Sequence, residues 1–264
     1  MKRLCTATNL KLFAIILMVF DHIHQMFLPM GAPLWLAYLG RPVFPILLFL
    51  AADSFHYTHN RRKYLTRLLV GSWVMTISSF LLQKLLPNPN VVLMNNAFST
   101  FFTAGLYMLF WDCFLDGIRK KDAKKIIASI LLCFVPVLMA APMFLAASLS
   151  FNENIPGSVF RMLAMAALLV PSVLTVEGGF AMVALGAAFY ALRKWRWAQI
   201  AVLSALSVLV YSVSGGFQWM MVSAAVPMAL YNGEKGKGFK QFFYLFYPAH
   251  IWILYILAAL MQSS

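Results

Sequence analysis

What most limits this chain is the recurrence of apolar stretches about as long as a bilayer is thick. A membrane-spanning helix needs about 20 apolar residues. Candidate stretches are 10–28, 35–57, 65–86, 98–117, 126–148, 177–192, 197–213, 217–231 and 241–261, the eighth of them short. A water-soluble domain has no place for such segments. The balance agrees, with 62% of the 264 residues hydrophobic and only 11% charged. Inside lipid the backbone must satisfy its own hydrogen bonds, so these segments are read as helices. The expectation is an all-α, polytopic transmembrane helical bundle of about nine membrane-spanning helices, forming a single domain over 1–264.

Charge sets the expected orientation. The net charge of +13, from 21 basic and 8 acidic residues, would point to nucleic acid in a soluble protein. Here the basic residues sit in short loops between apolar segments, which is the signature of cytoplasmic loops. No nucleic-acid partner is expected; the partner is the lipid bilayer. The clusters are Lys2, Arg3 and Lys11; Arg61, Arg62, Lys63 and Arg67; Arg119, Lys120, Lys121, Lys124 and Lys125; Arg193, Lys194 and Arg196; and Lys235, Lys237 and Lys240. The alternate loops 29–34, 87–97 and 149–158 carry no basic residue. If 159–174 does not cross, all five clusters share the cytoplasmic side, the N-terminus is cytoplasmic and the C-terminus lies outside. If it does cross, there are ten spans and everything from Arg193 onward turns outward. Arg161 and Pro171 suit an interfacial or re-entrant piece, so nine spans are preferred, in a multi-pass protein of the cytoplasmic (cell inner) membrane.

Met1-Lys2-Arg3 resembles the start of a signal peptide, but no small-residue cleavage pattern follows, so the first span is read as uncleaved. Cys5, Cys113 and Cys133 are too scattered for a disulfide framework or a metal site. Asp53, His56 and His59 drift off one helix face, and no metal is expected. Asn95 or Asn96 suits the N-cap of the span that opens at Phe98. Gly233 to Gly238 reads as a glycine and lysine linker.

The polar residues inside the apolar segments are the informative ones, because ionisable groups in lipid are costly and mark function. Asp21-His22 interrupts the first segment and Arg41 the second. At about 1.5 Å rise per residue, His22 lies roughly 18 Å from the inner end of its helix and about 9 Å from the outer end. Arg41 is also about 9 Å from the outer face, and His250 about 14 Å from the inner one, close to the midplane. Asp21 can touch His22 or pair with Arg41; helical geometry alone allows both.

In order along the chain, several elements resemble the TraX family of polytopic membrane proteins. They are Asp21-His22-Ile23, Gly40-Arg41 with Phe44-Pro45, Tyr64-Leu65-x-Arg67-Leu68, Asn96-x-Phe98, Glu177-Gly178-Gly179 with the later Tyr190-x-Leu-Arg193, and Tyr247-Pro248-Ala249-His250. The chain departs from the family pattern at Glu177-Gly178, where an aromatic-glycine pair is usual, and by extra residues around 149–174. The resemblance implies an acyltransferase that acetylates the N-terminus of conjugative pilin, with acetyl-CoA as donor. The acceptor here would be a protein or envelope molecule that the residues do not name.

Acyl transfer to an amine or hydroxyl needs a base for the acceptor proton and donors for the oxyanion. His22 is the candidate base, with Asp21 to orient it, and His250 a second base or oxyanion donor. The plain alternative is that these groups only tie helices together. Arg41 is assigned to an anionic group of the donor or to Asp21. Arg61, Arg62 and Arg67 are assigned to the coenzyme A phosphates, against the ordinary loop-charge explanation. Asn96 and Glu177 either contact the acceptor or cap helices. Two other classes fit the composition: a transporter or channel gated by Asp21 and Arg41, and a non-enzymatic component of a conjugation or secretion assembly. The absence of internal repeats weighs against the transporter.

Overall fold

The computed structural model describes residues 5–149, 156–238 and 240–262. Lys2 and Arg3 of the first basic cluster, and most of loop 149–158, lie outside the described residues. Among those described the regular structure is helical and no strand forms; one isolated bridge joins Cys5 and Tyr231. In chain order the helices are α1 (Ala7–Phe27), α2 (Trp35–Gly40), α3 (Val43–His56), α4 (Arg61–Leu85), α5 (Ala97–Lys120), α6 (Ala123–Leu132), α7 (Val135–Leu138), α8 (Ala141–Leu149), α9 (Gly157–Leu168), α10 (Gly179–Ala191), α11 (Arg196–Ser214), α12 (Ala225–Leu230) and α13 (Lys240–Gln262). A 3-10 helix, Phe217–Ala224, leads into α12.

Seven stretches among the described residues are long and apolar enough to cross a membrane: Ala7–Met30, Trp35–His56, Arg61–Leu85, Ala97–Lys120, Ala123–Leu149, Arg196–Ser214 and Phe242–Gln262. The segments 177–192 and 217–231, also expected to cross, form the shorter apolar helices Gly179–Ala191 and Phe217–Leu230. The ambiguous stretch 159–174 is helical only over Gly157–Leu168. Its continuation is unwound. There the Leu169 carbonyl accepts from Trp73 Nε1 at 2.7 Å and Val173 N–H donates to the Pro136 carbonyl at 3.1 Å. Protein groups thus satisfy part of this irregular backbone.

Local chemistry explains the breaks. Besides 217–231, which is a 3-10 helix followed by α12, two expected spans break at prolines. The 35–57 segment divides into α2 and α3 at Arg41-Pro42, because proline supplies no N–H to the helix ladder. The 126–148 segment divides into α6, α7 and α8, with Pro136 inside α7 and Pro142 inside α8. Thr6 caps α1, accepting from Asn9 N–H at 3.3 Å. Asn96 caps α5 and Asp122 caps α6, accepting from Ser99 and Lys125 N–H groups. Lys121, with φ of 53°, closes α5.

The chain divides into two compact units. One comprises Met1–Ser54, Ile77–Met94 and Ala188–Ser264, the other Phe55–Thr76 and Asn95–Ala187. In the first, Phe49 of α3 meets Phe189 and Tyr231 edge-on, with ring centroids 6.0 and 5.5 Å apart. The Arg196 guanidinium lies over both Phe49 and Tyr231 and donates to the Met228 and Tyr231 carbonyls. Tyr231 Oη donates to Asp53 at 2.8 Å. Arg196 and Asp53 are thus bound into the packing. Lipid gives helices no hydrophobic drive to associate, so close approach depends on small residues and polar contacts. Gly40 of α2 is such a residue: a Cβ there would collide with the Asp21 side chain of α1.

In the second unit Gly105 of α5 plays the same part, since a Cβ would sit 2.6 Å from Leu65 Cδ2 of α4. Its charged groups gather on α5. Arg61 pairs with Asp112 at 2.5 Å, and Asp116 pairs with Lys120 at 3.1 Å and with Lys125.

Candidate functional site

Two buried histidines of the first unit meet. His22 on α1 and His250 on α13 are 5% and 8% exposed, and His22 Nδ1 lies 2.7 Å from His250 Nε2. Their rings are 4.9 Å apart, and the His250 ring also stacks on Phe246 at 4.9 Å, tilted by 13°. One helical turn separates Phe246 from His250, so the ring reaches back to its own helix, where its Nδ1 lies 2.8 Å from the Phe246 carbonyl. A carbonyl can only accept, so His250 Nδ1 carries a hydrogen. With both rings uncharged, one arrangement satisfies both contacts. His250 Nε2 is then a lone-pair nitrogen, His22 Nδ1–H donates to it, and His22 Nε2 is left as a lone-pair nitrogen. For uncharged rings the tautomers follow from the hydrogen-bond pattern: a main-chain carbonyl at one end leaves the hydrogen-free nitrogen at the other.

Asp21 goes to Arg41. The two form an ion pair between α1 and the turn after α2, with side-chain exposures of 26% and 22%. The rest of the Arg41 fork is also engaged. Its Nε donates to the Ala37 carbonyl at 3.0 Å and its Nη1 to Gln218 Oε1 at 2.8 Å, and the guanidinium lies 5.3 Å from the Phe217 ring centre. Of the two partners the sequence allowed for Asp21, the carboxylate meets the arginine. The imidazole takes its orientation from His250. Arg41, read from sequence as a partner of either a donor anion or Asp21, takes Asp21 and joins α1, α2 and the 3-10 helix. Gln218 is the residue that sequence reasoning missed. The available signal was an amide near the head of an otherwise apolar stretch, one residue beyond Gly215-Gly216-Phe217.

Counting from the inner ends of the spans placed His250 about 4 Å below His22. The structure brings the two to hydrogen-bonding distance. The helices do not start level, because loop 232–238 lies beside the beginning of α1 before α13 begins: the Ala7 N–H donates to the Glu234 carbonyl at 2.8 Å.

The second unit holds the other polar residues singled out from sequence. Asn96 and Glu177 come together, the Asn96 N–H donating to Glu177 Oε2 at 2.8 Å. The Asn96 amide donates to the Ser72 carbonyl, Ser72 Oγ and Thr76 Oγ1, and Thr100 Oγ1 donates to the Glu177 carbonyl at 2.7 Å. The Glu177 carboxylate thereby lies at the start of α5, where the helix dipole favours a negative charge. Arg61 is committed to Asp112 and lies over the Phe55 ring at 5.1 Å. Arg62 and Arg67 are exposed on α4.

A helical chain with several apolar segments long enough to span a bilayer, and ionisable residues from separate helices joined inside it, is a polytopic membrane protein with a polar kernel. The particular family follows from comparison: the sequence profile described as TraX protein matches residues 6–258, and the chain belongs to the TraX family. No curated protein and no solved structure matches it.

Proposed function

We propose that this chain is an integral membrane acyltransferase of the cytoplasmic membrane. It moves an acetyl group from acetyl-CoA to an amine or hydroxyl acceptor, such as a pilin N-terminus or an envelope molecule. The single observation that carries this reading is the chain from the Phe246 carbonyl through His250 to His22. In that tautomer His22 Nε2 carries no hydrogen, which suits the proton acceptor that an amine or hydroxyl acceptor needs.

In the reaction, the acceptor nitrogen or oxygen attacks the thioester carbonyl while His22 Nε2 takes its proton. The resulting imidazolium donates Nδ1–H to His250 Nε2, a contact that strengthens as charge develops. The tetrahedral oxyanion collapses, the carbon–sulfur bond breaks, and the proton on Nε2 passes to the departing thiolate. The products are the acetylated acceptor and the free thiol of coenzyme A, with the imidazole restored.

The test is incubation of purified protein with radiolabelled acetyl-CoA and a membrane extract. Label should pass to an acceptor with wild-type protein and fail to do so with His22→Ala. Transfer by His22→Ala at the original rate would remove the mechanism. Substrate flux in liposomes without any acyl donor would favour the transporter class instead.

A further inference from the structure

The glycine and lysine loop between α12 and α13 does more than link them. Three of its carbonyls turn onto the start of α1. Glu234 O accepts from Ala7 N–H at 2.8 Å, and Thr8 Oγ1 lies 2.9 Å from Lys235 O and 2.5 Å from Lys237 O. The peptide bonds are trans, and in a trans unit the N–H points opposite to the C=O. The N–H groups of Lys235, Gly236 and Gly238 therefore point away from α1. The Lys235 and Lys237 side chains are exposed on the same loop, and the one acidic residue, Glu234, is tied to the Asn232 amide at 3.0 Å. Gly236 has φ of 70°, and a Cβ there would sit 2.6 Å from Thr6 Oγ1, so the loop can lie this close only with glycine.

We propose that loop 232–238 is the seat of the donor's phosphates, an inference that rests on the acyltransferase reading above. Lysines in cytoplasmic loops are common and by themselves mark only topology. Here they accompany main-chain donors aimed outward, and the combination suits a phosphorylated ligand. Reach gives the second argument. The loop is anchored to the two helices that carry the histidines. Thr8 and His22 are about 21 Å apart along α1, and the start of α13 is about 15 Å from His250. In coenzyme A about thirteen bonds separate the thioester sulfur from the first phosphorus; at about 1.25 Å net advance per bond an extended arm covers ~16 Å, with the second phosphorus ~3 Å farther. A ligand whose diphosphate lies on the loop thus carries its thioester to the level of His250 and to within about 5 Å of the level of His22.

The probe is adenosine 3′,5′-bisphosphate, which carries the donor's phosphorylated nucleoside without its acyl arm, titrated into full-length protein in zwitterionic nanodiscs. The double variant K235Q/K237Q should bind it at least about tenfold more weakly, because two charge-assisted contacts are lost. Its thermal midpoint should be unchanged, and R62Q/R67Q should bind as wild type does. Wild-type binding that survives K235Q/K237Q, or that is lost in R62Q/R67Q instead, overturns the assignment of the loop and leaves the acyltransferase reading standing. Wild-type protein that does not bind the probe overturns the assignment together with the coenzyme A donor. If the lysines instead hold lipid headgroups, K235Q/K237Q will lose retained anionic lipid while keeping its affinity for the probe, and this too overturns the proposal.

Discussion

If His22 and His250 act as one device, removing either should expose the dependence, and the structure sets the sizes. His22 carries the basic nitrogen, so His22→Ala removes general base catalysis, worth about 10²- to 10⁴-fold in rate. His250 touches His22 at 2.7 Å and acts through it. Its contribution is one hydrogen bond to a ring that becomes charged during the reaction, about 1.5–3 kcal/mol. At 1.36 kcal/mol per factor of ten, His250→Ala should slow transfer by about 10- to 150-fold. The decisive variant is the double one. With no base left to orient, His22→Ala/His250→Ala should be no slower than His22→Ala alone, since residues that act as a unit are not additive. His250→Gln, whose side-chain oxygen can accept from His22 Nδ1–H, should recover part of the loss. The assay is single-turnover transfer of labelled acetyl from acetyl-CoA with the acceptor saturating. Multiplicative losses in the double variant, or wild-type rates in His250→Ala, would refute the coupled arrangement.

Two further outcomes concern stability. The Asp21–Arg41 pair is about three-quarters buried, and Arg41 keeps Ala37 and Gln218 when Asp21 is lost. Asp21→Asn should therefore cost about 2–3 kcal/mol, between the values for exposed and fully buried pairs. A double-mutant cycle with Arg41→Gln, followed by unfolding in detergent, should return a coupling above about 1 kcal/mol, and a coupling near zero would show that the pair does not hold α1 to α2. Asn96→Ala removes the α5 cap and the amide contacts to Ser72 and Thr76, and should cost at least about 2 kcal/mol in the same unfolding assay.

Hydropathy made the seven stretches long and apolar enough to cross a membrane readable, because length and apolar content alone define them. The asparagine pair before an apolar run likewise announced the cap of α5, a local matter of one side chain and one N–H. The breaks inside 35–57 and 126–148 were less visible, because proline is tolerated in membrane helices when neighbours satisfy the freed groups. Asp21, His22, Arg41 and His250 could be named from cost alone. Their pairing could not, because adjacent helix residues point about 100° apart and the partner of each depends on which helix packs there. That α13 supplies a ring to His22 while the 3-10 helix supplies Gln218 to Arg41 is tertiary information. Arg61 shows the converse: its basic loop reads as a ligand site, and Asp112 on another helix takes it.

The imidazole chain that begins at a main-chain carbonyl uses no carboxylate. With both rings uncharged, its waiting state holds no ion. A charge displaced across a membrane exchanges about 2.3 kcal/mol with each 100 mV of potential. An uncharged pair exchanges none, so the cell's voltage does no work on these rings while they wait. In the proposed reaction it acts on them only for the brief interval in which the transferred proton sits on His22.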